Sequence, residues 1–394
     1  MRATADQGKR DIRSPYTSYI DYTMITILHT ADHQLGVKFI GFGEKGRQLR
    51  QAVKESLKAI VDVSLAESVH LVLIAGDLFD SNAVSRNLVD EAVAQLKRLA
   101  QIPVCILPGT HDCYDASSVY RRPEFQDISN IHLFTEDITS FCFPDLDLTV
   151  HGRANLSPTG SQSPLAGLAR NDETAYHVAM AHGEMAIEGK FAGDYYPMKE
   201  REIAASGMNY IALGHWHRFA DFSQGTVKAF YCGAPETLSF EEGEDSGYVL
   251  LVSINGSATR VEKKRVGKYL WKTVDLEIEA FEGEQGLIQE IKKHADPNTL
   301  LRLRLRGLKP LAWDVDEERL AGELEDSFFH LEVIAGELTT SFEPILAADF
   351  PETTVIGQFL RLMEKRLEAA VPDEKPVLEE ALRRGFALLS GREA

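Results

Sequence analysis

Apolar positions lay out the elements of this chain. Ile25-Thr26-Ile27-Leu28, Leu71-Val72-Leu73-Ile74-Ala75 and Val104-Cys105-Ile106-Leu107 are short, nearly continuous apolar runs, the pattern of strands buried on both faces. Between them Leu49, Val53, Leu57, Val61 and Leu65 recur every four residues among charged neighbours, which predicts a helix; Leu88, Ala92, Leu96 and Leu99 predict a second. Strand, helix, strand, helix, strand predicts parallel pairing through crossover helices. Weaker strands are expected at 131–134 and 148–150, then a loop or lid over 155–172, where Pro158, Pro164 and several Ser and Gly fall. Residues 178–181 and 210–213 are two more buried-type strands, and 249–254 with the residues after Asn255-Gly256 read as a hairpin.

A boundary is predicted near 267–271. Beyond it Val274, Leu276, Ile278 and Ala280 alternate with polar residues, as in a half-buried strand. A helix (285–294), a strand (300–306), a helix (316–324) and a strand (328–334) complete a small α+β unit. After Pro351, Val355, Phe359, Met363 and Leu367 form one helical stripe, and Leu378, Leu382 and Phe386 another. The expected organisation is a leader over 1–23, either disordered or the result of a start codon placed too early before Met24; a main α/β domain over 24–267; an α+β domain over 268–345; and a helical region over 346–394.

A length of 394 residues is in keeping with two or three such domains. No apolar run approaches the ~18 residues of a membrane span, so no membrane partner is expected. The four cysteines, Cys105, Cys113, Cys142 and Cys232, show no CxxC pairing and read as reduced thiols of a cytoplasmic protein. The net charge of −18 argues against a protein that coats nucleic acid through a generally basic surface. It leaves room for a nuclease, because bound cations invert the local field of an acidic site.

Five segments, each at or after a strand's end, carry candidate metal donors. They are His29-Thr30-Ala31-Asp32-His33-Gln34-Leu35-Gly36, Gly76-Asp77-Leu78-Phe79-Asp80, Gly109-Thr110-His111-Asp112, Ala181-His182-Gly183 and Gly214-His215-Trp216-His217. Singly, a histidine after a strand is more often a hydrogen-bonded structural residue, and a Gly-Asp pair is usually a turn. Five in order on one rim point instead to a metal site, since ligands of an open α/β sheet bind beyond the carboxyl ends of its strands. Asp77, with two carboxylate oxygens, can bridge two cations. Oxygen and imidazole donors without thiolate suit manganese, iron or zinc.

These segments resemble the five motifs of calcineurin-like metallophosphoesterases. Leu28-His29-Thr30-Ala31-Asp32, Gly76-Asp77-Leu78-Phe79-Asp80 and the stretch from Tyr231-Cys232-Gly233-Ala234-Pro235 to Phe240 resemble the SbcD-type DNA double-strand-break repair nucleases in particular. The resemblance implies a metallophosphoesterase β-sandwich flanked by helices, an α+β capping domain and C-terminal partner-binding helices. It implies two divalent cations: one held by Asp32, Gln34, Asp77 and His217, the other by Asp77, Thr110, His182 and His215. His111 would protonate the leaving oxygen or stabilise its charge. Asp80 would steer the metal shell or substrate, or simply act as a helix N-cap or turn residue. The implied activity is 3′-5′ exonuclease and single-strand endonuclease action on DNA, beside an SbcC-type coiled-coil ATPase and as a homodimer.

Two positions depart from the family pattern. Gln34 stands where His is usual and Thr110 where Asn is usual, so weaker metal binding with a tilt toward Mn²⁺ is expected. His33 is a lesser candidate ligand beside Gln34, because neighbouring positions of an extended segment point oppositely. For DNA contact, Lys263, Lys264, Arg265 and Lys268 cluster at the boundary. Arg302, Arg304 and Arg306 would give a strand one basic face, or an ordinary solvated one. Two other functions fit the same residues: a metallophosphoesterase acting on a nucleotide or other phosphorylated substrate, and a non-catalytic DNA-end-binding subunit.

Overall fold

The computed structural model describes residues 24–125, 128–171, 173–187, 195–309, 315–340, 350–351, 353–372 and 374–389. The 1–23 leader lies outside the described residues. The chain divides into two compact units, Met1–Glu236 with Asp245–Gly267, and Thr237–Glu244 with Lys268–Ala394. Thr237–Glu244, inside the 24–267 span read from the sequence, thus groups with the second unit, as do the C-terminal helices.

The first unit holds two six-stranded sheets. In one, β1 (Ile25–Thr30), β2 (Leu71–Ala75), β3 (Val104–Leu107) and β4 (Ile131–Leu133) run parallel, and the hairpin of β11 (Tyr248–Asn255) and β12 (Ala258–Arg265) continues the sheet antiparallel beyond β1. The other has the order β5 (Thr139–Phe143), β6 (Leu148–Gly152), β7 (Tyr176–His182), β8 (Tyr210–Gly214), β10 (Lys228–Tyr231), β9 (Ala220–Asp221), with β6, β7, β8 and β10 parallel. Ile27, Leu73 and Cys105 from the first sheet and Val150, Val178, Met180 and Ala212 from the second share one buried core, which makes the pair a sandwich. Crossover helices α1 (Lys45–Ala66) and α2 (Arg86–Lys97) join β1 to β2 and β2 to β3, while α3 (Glu200–Ser206) packs through Ile203 on the second sheet. The fold is the α/β sandwich flanked by helices that the sequence predicts.

Helix α1 departs from the predicted stripe at its end. Leu49, Val53, Leu57 and Val61 are buried, but Leu65 is 44% exposed and Ser64 is buried in its place. Each step of four residues overshoots a full turn by about 40°, so a strict four-residue repeat drifts off the core face within four turns. The buried Ser64 hydroxyl donates to the Ile60 carbonyl at 2.8 Å and so carries no unmet hydrogen bond.

The second unit holds a three-stranded parallel sheet of β13 (Leu270–Glu277), β14 (Asp296–Lys309) and β15 (Phe328–Thr340), with α4 (Glu284–Lys292) and α5 (Glu317–Leu324) as crossovers. Leu301, Leu303 and Leu305 pack with Ile288, Ile291 and Leu320 in its core. The opposite face carries the arginines, and carboxylates meet Arg302 and Arg306. Arg302 Nε lies 2.6 Å from Glu332 and its Nη1 3.3 Å from Glu241, while Arg306 lies 3.4 Å from Asp275. At Arg302 and Arg306 this is an ordinary ion-paired face rather than an open basic one. Helices α6 (Val355–Ala369) and α7 (Lys375–Leu389) pair through Leu360, Met363, Leu382 and Phe386. Val355, predicted within the stripe, is 69% exposed at the first residue of α6. No helix among the described residues is long and apolar enough to cross a membrane.

Candidate metal centre

The five segments meet because parallel strands deliver their carboxyl ends to one rim, and the rims of the two sheets touch. The Ala75 carbonyl at the end of β2 accepts a hydrogen bond from His182 Nδ1 at the end of β7, at 2.9 Å. Gly214 ends β8 against the same carbonyl: a Cβ there would lie 1.9 Å from Ala75 O and 2.8 Å from His182 Nδ1. A Gly214→Ala variant is therefore expected to lose about 2–3 kcal/mol or more, read from urea unfolding, and to disturb His182.

Loops after β1 and β2 run side by side. Asp32, Gln34 and Leu35 donate their backbone N–H groups to the Gly76, Asp77 and Leu78 carbonyls, each at 3.0 Å. Asp32, Gln34 and Asp77 all hold positive φ (55°, 51° and 51°). Such backbone is costly for residues with a Cβ and is retained where surrounding bonds over-determine it. It turns three side chains inward: Asp32, Gln34 and Asp77 are 0%, 2% and 1% exposed.

Asp77 is the hub. Its Oδ1 accepts the His111 backbone N–H at 2.8 Å, and its Oδ2 accepts from Gln34 Nε2 at 3.1 Å and from the Thr110 hydroxyl at 3.4 Å. His182 Nε2 lies 3.3 Å from the same Oδ2. Asp32 accepts the His215 backbone N–H on both oxygens at 3.0 Å. Asp32, Asp77 and His182 offer donor atoms all within 4.8 Å of one another, a buried group able to hold a metal ion. His217 joins through its Nε2, 3.5 Å from Gln34 Nε2, and the His215 ring stands edge-on to His182 with centroids 5.4 Å apart.

The electrostatics call for positive charge. Burial pushes the Asp32 carboxyl up to about 6, against the opposing pull of His182 and His217. Burial would also raise Asp77, but His182 and His111 outweigh it and hold this carboxylate below its ordinary range. Burial would depress His182, yet the carboxylates of Asp77 and Asp32 push it up to about 9. Burial, with His182 beside it, brings His215 down to about 3, so its ring is neutral and keeps a lone pair. Two buried atoms in this pocket make no hydrogen bond of sound geometry, His182 Nε2 and Gln34 Oε1. Because Nδ1 of His182 donates to Ala75, Nε2 is the nitrogen left to ligate. Two buried carboxylates and an imidazole with donor atoms all within 4.8 Å of one another fit a divalent cation, which would replace the proton that the carboxylates hold on His182.

The sequence-predicted residues are placed as follows. Asp32, Gln34, Asp77, Thr110, His182, His215 and His217 come together around Asp77. His33 does not join them: its Nε2 lies 3.0 Å from the Thr30 hydroxyl, and burial lowers it to about 3. His111 is exposed at the rim, its Nδ1 3.0 Å from the Asp80 carbonyl. Asp80 is not a helix cap, since Ser85 caps α2 through its Oγ, 3.4 Å from Leu88 N.

Sequence reasoning missed residues that hold these loops. Asp112 is fully buried; its Oδ1 accepts Gly109 N–H at 2.7 Å, and its Oδ2 accepts Phe79 N–H at 3.1 Å and the Tyr120 hydroxyl at 2.5 Å. Asn155 Nδ2 donates to the His182 carbonyl at 3.1 Å. Tyr231 donates its hydroxyl to the Gly183 carbonyl at 2.7 Å and stacks on Trp216 at 4.9 Å, tying the loop after β7 to the loop after β8. Asp112 and Tyr231 lie within the quoted motif stretches without a role assigned there, and Asn155 carries no sequence signal.

A two-sheet α/β sandwich with buried carboxylates and imidazoles gathered on its rim is consistent with the metallophosphoesterase fold. Residues 25–219 match the calcineurin-like phosphoesterase family. The family uses a dinuclear divalent metal centre. The chain is similar to YhaO of Bacillus subtilis, named an uncharacterized metallophosphoesterase, at 26% identity over 307 residues, 73% of either chain. It is similar to the DNA double-strand break repair protein Mre11 of Sulfolobus acidocaldarius, at 22% identity over 83% of this chain and 86% of that one. It is also similar to a subunit of the SbcCD nuclease of Bacillus subtilis, at 23% identity over 89% of this chain and 95% of that one.

Proposed function

We propose that the protein is a metal-dependent nuclease that hydrolyses DNA phosphodiesters, of the SbcD type, using Mn²⁺. The observation that carries the reading is the buried Asp32–Asp77–His182 group, whose donor atoms all lie within 4.8 Å of one another. Asp32, Gln34, Asp77 and His217 would hold one cation, and Asp77, Thr110, His182 and His215 the other. When bound, such a pair supplies Lewis-acid stabilisation of a phosphodiester and an activated water.

This chain's own residues do the rest. The Asp80 carbonyl can only accept, so Nδ1 of His111 carries a hydrogen and the ring is fixed with Nε2 directed away from that bond. His111 holds a proton at Nε2 and delivers it to the leaving oxygen. Asp112 holds the segment 109–112 against Phe79, which sets His111 relative to Asp77.

Two features support a DNA substrate and a partner. On β12, Lys263 and Arg265 lie over the Tyr248 ring at 4.3 Å and 5.5 Å. Lys263 is in register with Leu250 and through it with His29, so these cations stand toward the end of the sheet where β1 delivers Asp32. On α6 and α7, Val355, Leu362, Val377 and Leu388 are 69%, 53%, 70% and 66% exposed, an outward apolar stripe suited to a helix of an SbcC-type ATPase. Cytoplasmic location and a homodimer belong to the same proposal.

The test is Mn²⁺-dependent degradation of end-labelled duplex DNA beside a generic phosphomonoester. Cleavage of DNA is expected; turnover of the monoester alone would favour a phosphoesterase of another substrate class. The neutral Gln34 amide is a poorer donor than imidazole. Gln34→His is expected to tighten metal binding roughly tenfold, about 1.4 kcal/mol, by calorimetry.

A further inference from the structure

The mouth of the site carries an aromatic ring that the chemistry above does not use. Tyr195 is 47% exposed. One face of its ring stacks on His215, with centroids 5.7 Å apart and planes at 28°. The 195–196 peptide that presents it is held by two backbone hydrogen bonds. The Tyr195 carbonyl accepts the Glu184 N–H at 2.9 Å, two residues beyond His182, and the Tyr196 N–H donates to the Gly160 carbonyl at 2.7 Å. Tyr196 holds φ at 56°, unusual for a residue with a Cβ, and its hydroxyl donates to the Ser157 carbonyl at 2.8 Å. Gly160 leaves room for that ring, since a Cβ there would lie 2.4 Å from Tyr196 Cε1. A strained, multiply bonded segment thus presents an aromatic side chain to solvent beside a residue of the metal centre.

We propose that Tyr195 is a base-stacking platform, which takes the nucleobase next to the phosphodiester being cut. This rests on the nuclease reading above and deepens it. Every nucleobase offers a π-face irrespective of sequence, and an exposed ring already backed by another ring can take one. His215 covers one face of the ring and fixes its plane, so little side-chain freedom is lost when a base covers the other. A base reaches such a ring only when unstacked, which assigns the site to single strands, frayed ends and flaps. The Tyr195 hydroxyl is not needed for stacking, so phenylalanine serves equally.

The test uses a fluorescently labelled thymidine decamer and the same decamer with every base removed to leave abasic sugars. Binding is measured by anisotropy on the full chain in EDTA, and cleavage in Mn²⁺. Tyr195→Ala is expected to weaken binding of the thymidine decamer about 5- to 150-fold, as loss of one base–aromatic stack does, and to leave the abasic decamer unchanged within about twofold. Tyr195→Phe is expected to match wild type on both. Equal losses on the two decamers would mean that Tyr195 only positions His215 and would overturn the proposal, as would no loss on either. A wild-type protein that neither binds nor cuts the thymidine decamer overturns the nuclease reading and this proposal with it. A wild type that cuts it, with equal losses for Tyr195→Ala, overturns this proposal alone.

Discussion

Replacing Asp77 with asparagine is expected to remove metal binding and phosphodiester hydrolysis together. Asparagine tolerates the positive φ at this position and fills the same volume, so the fold is the least disturbed by this change. What it loses is the charge that both cations would share and that raises His182 to about 9. Losing a bridging carboxylate forfeits several kcal/mol of transition-state stabilisation, a fall in turnover of about 10³-fold or more. Calorimetric titration with Mn²⁺ and rate measurement on the same preparation check it. A variant that still takes up metal with wild-type affinity, or still cleaves at a tenth of the wild-type rate, would remove Asp77 from the centre of the account.

A second large effect separates the chemistry from the metal. His111→Gln is expected to leave Mn²⁺ affinity unchanged and to lower kcat by about 10²- to 10⁴-fold, the usual cost of removing a general acid. The separation follows from position. His111 is exposed at the rim, and its contact with Asp77 runs through its backbone N–H, which glutamine keeps. Activity lost with His111 should matter less for substrates whose leaving group needs no proton. A 4-nitrophenyl ester should therefore be cut by the variant at closer to the wild-type rate than DNA is. Equal losses on both substrates would show that His111 does something other than deliver a proton.

Much of the site is legible in the sequence because burial leaves a mark there. Leu71–Ala75 and Tyr210–Gly214 are covered on both faces, so their strands are unbroken apolar runs, and the polar residue after each run marks the rim. The hairpin of β11 and β12 is announced by Asn255-Gly256. What the sequence hides is of a different kind. Asp112 stands next to His111 in one of the five motifs, yet nothing in its type distinguishes a carboxylate that bonds the Gly109 and Phe79 N–H groups from one that faces water. Leu65 shows the limit of counting in fours along a 22-residue helix. Arg302 and Arg306 share a face as alternation requires, but the acids that neutralise them come from β13, β15 and the Thr237–Glu244 segment, which no local pattern links to β14. The exposed face of Tyr195 is equally silent, since its meaning comes from a histidine 20 positions along the chain.

The departures at Gln34 and Thr110 are also clearer in three dimensions. Gln34 Nε2 lies near both Asp77 and His217, and its Oε1 has no partner. A half-turn of the amide exchanges these two atoms, so the position offers an oxygen to a cation where the family offers an imidazole. The Thr110 hydroxyl faces Asp77 at 3.4 Å, a long and weak contact that a ligated water could replace.

The claim on which all of this depends is that buried side chains from five separate loops hold a pair of divalent cations on either side of Asp77. Crystals grown with Mn²⁺ and measured at its absorption edge test it most directly. Two anomalous peaks are predicted to flank the Asp77 carboxylate, one beside Asp32 and His217 and the other beside His182 and His215. A map with Mn²⁺ in the crystal and no peak within bonding distance of Asp77 would contradict it.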